Sequence, residues 1–164
     1  MTRTRVLICV GMAVVLASVM AVLAADNFSG TWKLNVAKSK YSPGPAPQSG
    51  MTKIEATADG LKIVADGVNA EGKKTHTEYS AKFDGKDYPD KVLLDGTIDP
   101  TGADMVSIKK IDDFTYEATM KLKGKVLTVT KNVISKDGKT RNQTVTGTNA
   151  QGKAVNNTVV YEKQ

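Results

Sequence analysis

Turn-forming dipeptides recur along the chain at a pitch of about ten residues, the spacing of short strands joined by tight turns. They are Asp59-Gly60, Glu71-Gly72, Asp84-Gly85, Asp95-Gly96, Thr101-Gly102, Lys123-Gly124, Asp137-Gly138 and Gln151-Gly152. Glycine reaches the positive φ of a hairpin turn because it has no Cβ to clash. Between the turns, apolar and polar residues often alternate. Tyr79, Ala81 and Phe83 alternate with Glu78, Ser80 and Lys82; Tyr116, Ala118, Met120 and Leu122 alternate with Glu117, Thr119 and Lys121; Leu61, Ile63 and Ala65 follow the same rule. A period of two is a strand with one buried and one wet face. Candidate strands lie near 28–35, 51–58, 61–68, 73–83, 91–97, 104–111, 114–122, 125–135, 139–148 and 153–163. Connections this short make neighbours antiparallel, and a sheet of this many strands curls or closes to remove its edges. The expectation is an all-β, antiparallel up-and-down β-barrel of about eight to ten strands, with a two-sheet sandwich as the alternative.

The first 24 residues follow a different rule. Arg3 and Arg5 precede an apolar run, Val6 to Leu23, broken only by Gly11 and Ser18. The small-residue exit Val22-Leu23-Ala24 reads as a cleavage site, so residues 1–24 are expected to be a signal peptide and 25–164 a single barrel domain. The competing reading is a membrane anchor, for which the run is barely long enough. Cleavage would place the protein in the periplasm or outside the cell, touching membrane only through the uncleaved signal segment. Cys9 lies inside the apolar run, and no other cysteine exists, so the domain must fold without disulfides. A domain of about 140 residues buries enough apolar surface to do so.

The formal charge is +6, with Arg3 and Arg5 supplying two of those charges. Lysines and carboxylates are interspersed and no basic cluster alternates with aromatics, so no nucleic-acid partner is expected. No catalytic constellation is evident either, and the expectation is a protein that is not an enzyme and holds no metal or other cofactor. His76 is the only histidine and falls on a wet strand face, a poor metal site and a poor triad member. Asp112-Asp113 and Asp87/Asp90 read as turn formers. Asn27-Phe28-Ser29, Asn142-Gln143-Thr144 and Asn156-Asn157-Thr158 are chance matches to a glycosylation pattern in a Thr/Asn-rich β protein.

One segment, Val36 to Gly50, breaks the strand rhythm. Pro43, Pro45 and Pro47 remove backbone donors and fix φ, which excludes a helix or a central strand. It is either a lid over a barrel mouth or a tethered crossover. Gly67-Val68-Asn69-Ala70-Glu71-Gly72-Lys73 resembles Gly147-Thr148-Asn149-Ala150-Gln151-Gly152-Lys153, an echo that shared turn chemistry explains as well as duplication does.

The first strand, Phe28-Ser29-Gly30-Thr31-Trp32-Lys33-Leu34-Asn35, carries a Gly-x-Trp ahead of a β-meander. With the closing Val159-Val160-Tyr161-Glu162-Lys163, it resembles the lipocalin and fatty-acid-binding superfamily, the calycins, and in particular small bacterial secreted lipocalin-like proteins. The resemblance implies that Gly30 allows close backbone approach and that Trp32 plugs the closed end of the barrel; contact of Trp32 with a ligand is the alternative. Lipocalins lay a basic side chain over this tryptophan. Arg141, the only arginine beyond Arg5, is either that cation or a solvated strand residue. Fatty-acid binders place an arginine two residues before the last-strand tyrosine. Val159 stands there, so that clamp is absent and a neutral or aromatic ligand is expected.

Two function classes follow. One is a monomeric exported barrel whose partner is a small apolar or amphipathic ligand, bound by Tyr79, Tyr116, Met120 and Tyr161. The other is an envelope structural or protein-interaction barrel with no ligand, in which those residues fill the core.

Overall fold

The structure is a computed structural model that describes residues 26–164. The expected signal segment lies outside the described residues. The strands are β1 (Gly30–Leu34), β2 (Ser49–Ala56), β3 (Gly60–Val68), β4 (Lys74–Lys82), β5 (Tyr88–Leu94), β6 (Thr97–Ile98), β7 (Met105–Lys110), β8 (Thr115–Leu122), β9 (Lys125–Ile134), β10 (Thr140–Thr148) and β11 (Ala154–Lys163). β6 aside, each strand pairs antiparallel with the next, β5 passing on to β7, and β1 joins β11, so ten strands form a closed ring with β6 as a two-residue spur on β5. The barrel is therefore an all-β, up-and-down closed barrel, and the sandwich alternative falls.

Alternation sets which residues face inward, and pairing stacks them into rungs. Ile54, Ile63, Tyr79 and Asp90 oppose one another in turn across β2, β3, β4 and β5. One step further along the barrel, Thr52, Ala65, Thr77 and Val92 form the next rung. One end is packed solid. Phe28, Trp32, Ile54, Leu61, Ala81, Ile108 and Ile134 are buried there, and Phe83 and Phe114 fold in from the connections at that end. The Phe28 ring meets Tyr116 edge-on at 5.2 Å and lies 6.0 Å from Phe83. Burial of side chains of this size contributes about 1.5–3 kcal/mol each, which is how a barrel without disulfides holds one end shut.

The other end carries the hairpins after β3 and β10 and the long first connection. The two hairpins that echo in sequence make the same turn. Asn69 and Asn149 each accept the N–H groups two and four residues on through their side-chain oxygens, at 2.9–3.1 Å. Gly72 and Gly152 take φ of 82° and 77°, open only to glycine without strain. The proline-rich connection contains one 3-10 turn, Val36–Lys38, and then runs beside β11. Lys40 and Thr158 exchange backbone hydrogen bonds of 2.7 and 2.9 Å, and Ser42 accepts from the Asn156 N–H. The segment is thus tethered, and it also borders the opening through Tyr41 and Pro47.

Two sequence expectations need correcting. The strand expected at 91–97 is β5, which begins at Tyr88 and stops at the Asp95-Gly96 turn. Pro89 is tolerated because the strand changes partner there: β7 pairs with residues 88–89 and β4 with 90–94. Asp90 is consequently no turn former. It lies on β5 facing inward, 8% exposed.

Candidate functional site

Above the packed end, the barrel interior holds an open-sided chamber of about 280 Å³. Tyr79, Tyr116, Met120 and Tyr161 all line it, together with Thr52, Thr77, Thr130, Asn132, Gln143 and Arg141. The sequence-selected residues are therefore brought together on one wall system, from β4, β8 and β11, and they share it with Arg141 and with a set of threonines and amides the sequence did not single out.

Arg141 is the decisive member. Neither solvated nor on the outer face, it is 1% exposed. It stands directly opposite Tyr161 on β11 and opposite Ile134 on β9, which points its side chain into the barrel. Its guanidinium carbon lies 4.1 Å from the Tyr161 ring centroid and 5.9 Å from that of Trp32. Its Nε and Nη2 are buried without a hydrogen-bond partner. Guanidinium groups in protein interiors are ordinarily paired, because removing an ion from water costs several kcal/mol. A chamber lined by an unpaired cation was not expected, and it overturns the inference that the lining lacks one.

The surrounding groups do not neutralise it. Asn132 is occupied: its side-chain oxygen accepts from Gln143 Nε2 at 2.8 Å, and its Nδ2 donates to the Thr130 carbonyl. Tyr116 lies beside the guanidinium, but burial raises its phenol pKa and keeps it neutral, with the charge of Arg141 and a side-chain hydrogen bond from it opposing that shift. Tyr79 is raised further, first by burial, then by Tyr116 and Asp90, again opposed by Arg141. The phenols thus serve as hydrogen-bonding hydroxyls around a fixed positive charge.

Trp32 is fully buried in the packed end, and its Nε1 donates to the Phe28 carbonyl at 3.1 Å. It sits below the chamber. The nearer cation over its ring is Lys163, with Nζ 5.1 Å from the centroid. Gly30 makes room for this, since a Cβ there would collide with the Lys163 stem. Lys163 was missed in the sequence; its signal was alternation with Val159 and Tyr161 on the closing strand.

Toward the mouth the chamber adjoins two flanking spaces. One, of about 210 Å³, shares Thr52, Ala65, Thr77 and Tyr161 and is bordered by Tyr41 and Pro47 of the long connection. The other, of about 330 Å³, shares Thr77, Met120 and Thr128 and is bordered by Asp90. A larger hollow of about 470 Å³ lies at the rim over Gly50 and Gly67, bounded by Lys33, Met51 and Lys74. That rim hollow has no unpaired buried polar group, so the chamber is the better site. His76 is on the outer wall, hydrogen-bonded through Nδ1 to Asp66 at 2.8 Å.

The closed antiparallel barrel is compatible with a calycin-like fold. No protein-family model matches the sequence, and no curated protein matches it.

Proposed function

We propose that the chain is an exported, calycin-like binding protein whose barrel holds a compact amphipathic anion, its charged group seated on Arg141. The observation that carries this is the guanidinium itself: buried, stacked on Tyr161, with Nε and Nη2 unpaired and facing a chamber of about 280 Å³. An anionic group supplies the acceptors it lacks, through charge-assisted and often bidentate hydrogen bonds. The phenols of Tyr79, Tyr116 and Tyr161 and the methionine of Met120 provide the mixed apolar and polar lining typical of small-molecule sites. At about 280 Å³ the chamber lies just below the usual span of ligand pockets, about 300–1,000 Å³, which favours a short or ring-containing ligand over a long acyl chain. Binding rather than catalysis is the reading, since the lining of the chamber contains no histidine, cysteine or carboxylate. Export rests on the Arg3/Arg5 and Val6–Leu23 pattern.

A thermal-shift screen of residues 25–164 tests it, using aromatic and short-chain carboxylates against the corresponding amides. The carboxylates should stabilise the protein, by about 2.7 kcal/mol at a hundredfold excess over Kd, and the amides should not. Equal effects from acids and amides, or silence across the panel, would leave the ligand-free structural barrel as the better account.

A further inference from the structure

The proposed anion site has a counterpart at the other side of the barrel interior. Asp90 is 8% exposed, and both of its carboxyl oxygens are buried without a hydrogen-bond partner. Alternation on β5 turns it inward beside Tyr79, its direct neighbour on β4, and Tyr79 lines the chamber that holds Arg141. The space bordered by Asp90 shares Thr77, Met120 and Thr128 with that chamber, so the two adjoin along those side chains. Arg141 and Asp90 are the only buried side chains with unpaired polar atoms among the described residues. They are opposite in kind: one offers only donors, the other, when ionised, only acceptors.

Nothing else in the fold accounts for Asp90. Its backbone N–H is held by the Asp104 carbonyl at 2.9 Å, which fixes the strand without using the side chain. The nearby lysines are engaged elsewhere or point outward: Lys121 grips Asp87 at 2.7 Å, and Lys91, beside Asp90 in sequence, is exposed on the outer face. A leucine or valine would fill the same inward position on an otherwise apolar rung of Ile54, Ile63 and Tyr79 and would be cheaper to bury.

We infer that the ligand is two-ended, carrying an anionic group for Arg141 and, at its other end, an ammonium or hydroxyl donor for Asp90. The inference rests on the proposed Arg141 site and adds to it a second recognition group and a direction of binding. Each end of such a ligand satisfies a buried group that is otherwise unpaired, and a ligand lacking one end leaves that group desolvated and unmatched. Sites built this way reject the incomplete analogue strongly.

Isothermal titration of residues 25–164 with ω-aminoalkanoates, from aminobutanoate to aminooctanoate, against the alkanoates of matching length separates the two parts. Mildly alkaline buffer keeps the carboxyl ionised. The expected result is that at least one aminoalkanoate binds tenfold or more tighter than its alkanoate, and that Asp90→Asn reduces the ratio to below about twofold, a fivefold or greater loss worth about 1 kcal/mol or more. Alkanoates that bind as tightly as every aminoalkanoate would overturn the Asp90 inference and leave the anion site standing. Binding of neither class, or binding of both unchanged in Arg141→Met, would overturn the two together. The comparison of probe pairs in the unaltered protein needs no variant to fold.

Discussion

Arg141 and Tyr161 face one another directly across β10 and β11, with the guanidinium carbon 4.1 Å from the tyrosine ring centroid. The ring holds the cation by its face and leaves the Nε and Nη2 N–H groups without an acceptor. This arrangement positions a charge without neutralising it. It exchanges stability for a binding-ready group, and that exchange can be measured.

Replacing Arg141 by Met keeps most of the volume and removes the buried charge. The stacking lost is worth about 2 kcal/mol, whereas desolvating an unpaired ion costs several kcal/mol. The ligand-free Arg141→Met protein should therefore be as stable as the parent or more so, by up to about 4 kcal/mol, in urea unfolding. A loss of stability greater than the stacking contribution would show that the guanidinium is satisfied within the fold.

Trp32 is fully buried beneath the chamber. Trp32→Ala should cost on the order of 3–5 kcal/mol, as large core truncations do. As the only tryptophan, it should emit blue-shifted fluorescence in the folded protein. A variant as stable as the parent, or water-like emission, would remove it from the core.

Asp90 should make stability fall as pH rises. Burial, and secondarily Asp104, raises its carboxyl pKa from 3.8 to about 7. The folded chain then binds a proton more tightly than the unfolded chain, so its stability contribution is complete below the unfolded value and is lost as pH rises toward 7, at about 1.36 kcal/mol per pH unit at most. Carboxylates lowered in the folded state, such as Asp84 and Asp137 through backbone and side-chain hydrogen bonds, act in the opposite sense. The diagnostic is therefore the difference between the parent and Asp90→Asn. It should favour the variant increasingly from pH 4 to 7 and be flat above. A difference independent of pH would place the Asp90 carboxyl in contact with water.

Ala65 lines both the chamber and the space under Tyr41 and Pro47. Ala65→Phe should fill this passage into existing free volume. Overpacking typically costs about 1–3 kcal/mol, and here the cost should lie at the low end while carboxylate binding weakens at least tenfold. Unchanged binding in a folded Ala65→Phe protein would move the ligand path to the Asp90 side.

The fold was legible because hairpin glycines and period-two alternation act locally. Leu61, Ile63 and Ala65 declare their inward face without knowledge of any partner strand. The tyrosines of the chamber were legible for the same reason, being apolar enough to mark an inward position. Arg141 was legible only through the resemblance, as a candidate cation over Trp32, 5.9 Å from that ring centroid in the structure; its place in the chamber and that of Asp90 were not. Arg141 alternates with Gln143 and Val145 among threonines and asparagines, where neither face of β10 reads as apolar. Asp90 follows Pro89 and precedes the unbroken apolar run Val92-Leu93-Leu94, which hides the period. A buried polar residue contradicts the pattern used to detect burial. Such residues become visible only when the barrel closes and both walls can be compared.

The most direct test is native mass spectrometry of the protein purified gently from its own host, beside Arg141→Met prepared in the same way. The parent should carry a small acidic molecule, released on acidification, and the variant should be bare. A parent that is also bare and takes up no carboxylate on titration, or a variant that retains the same molecule, would contradict an interior anion site centred on Arg141.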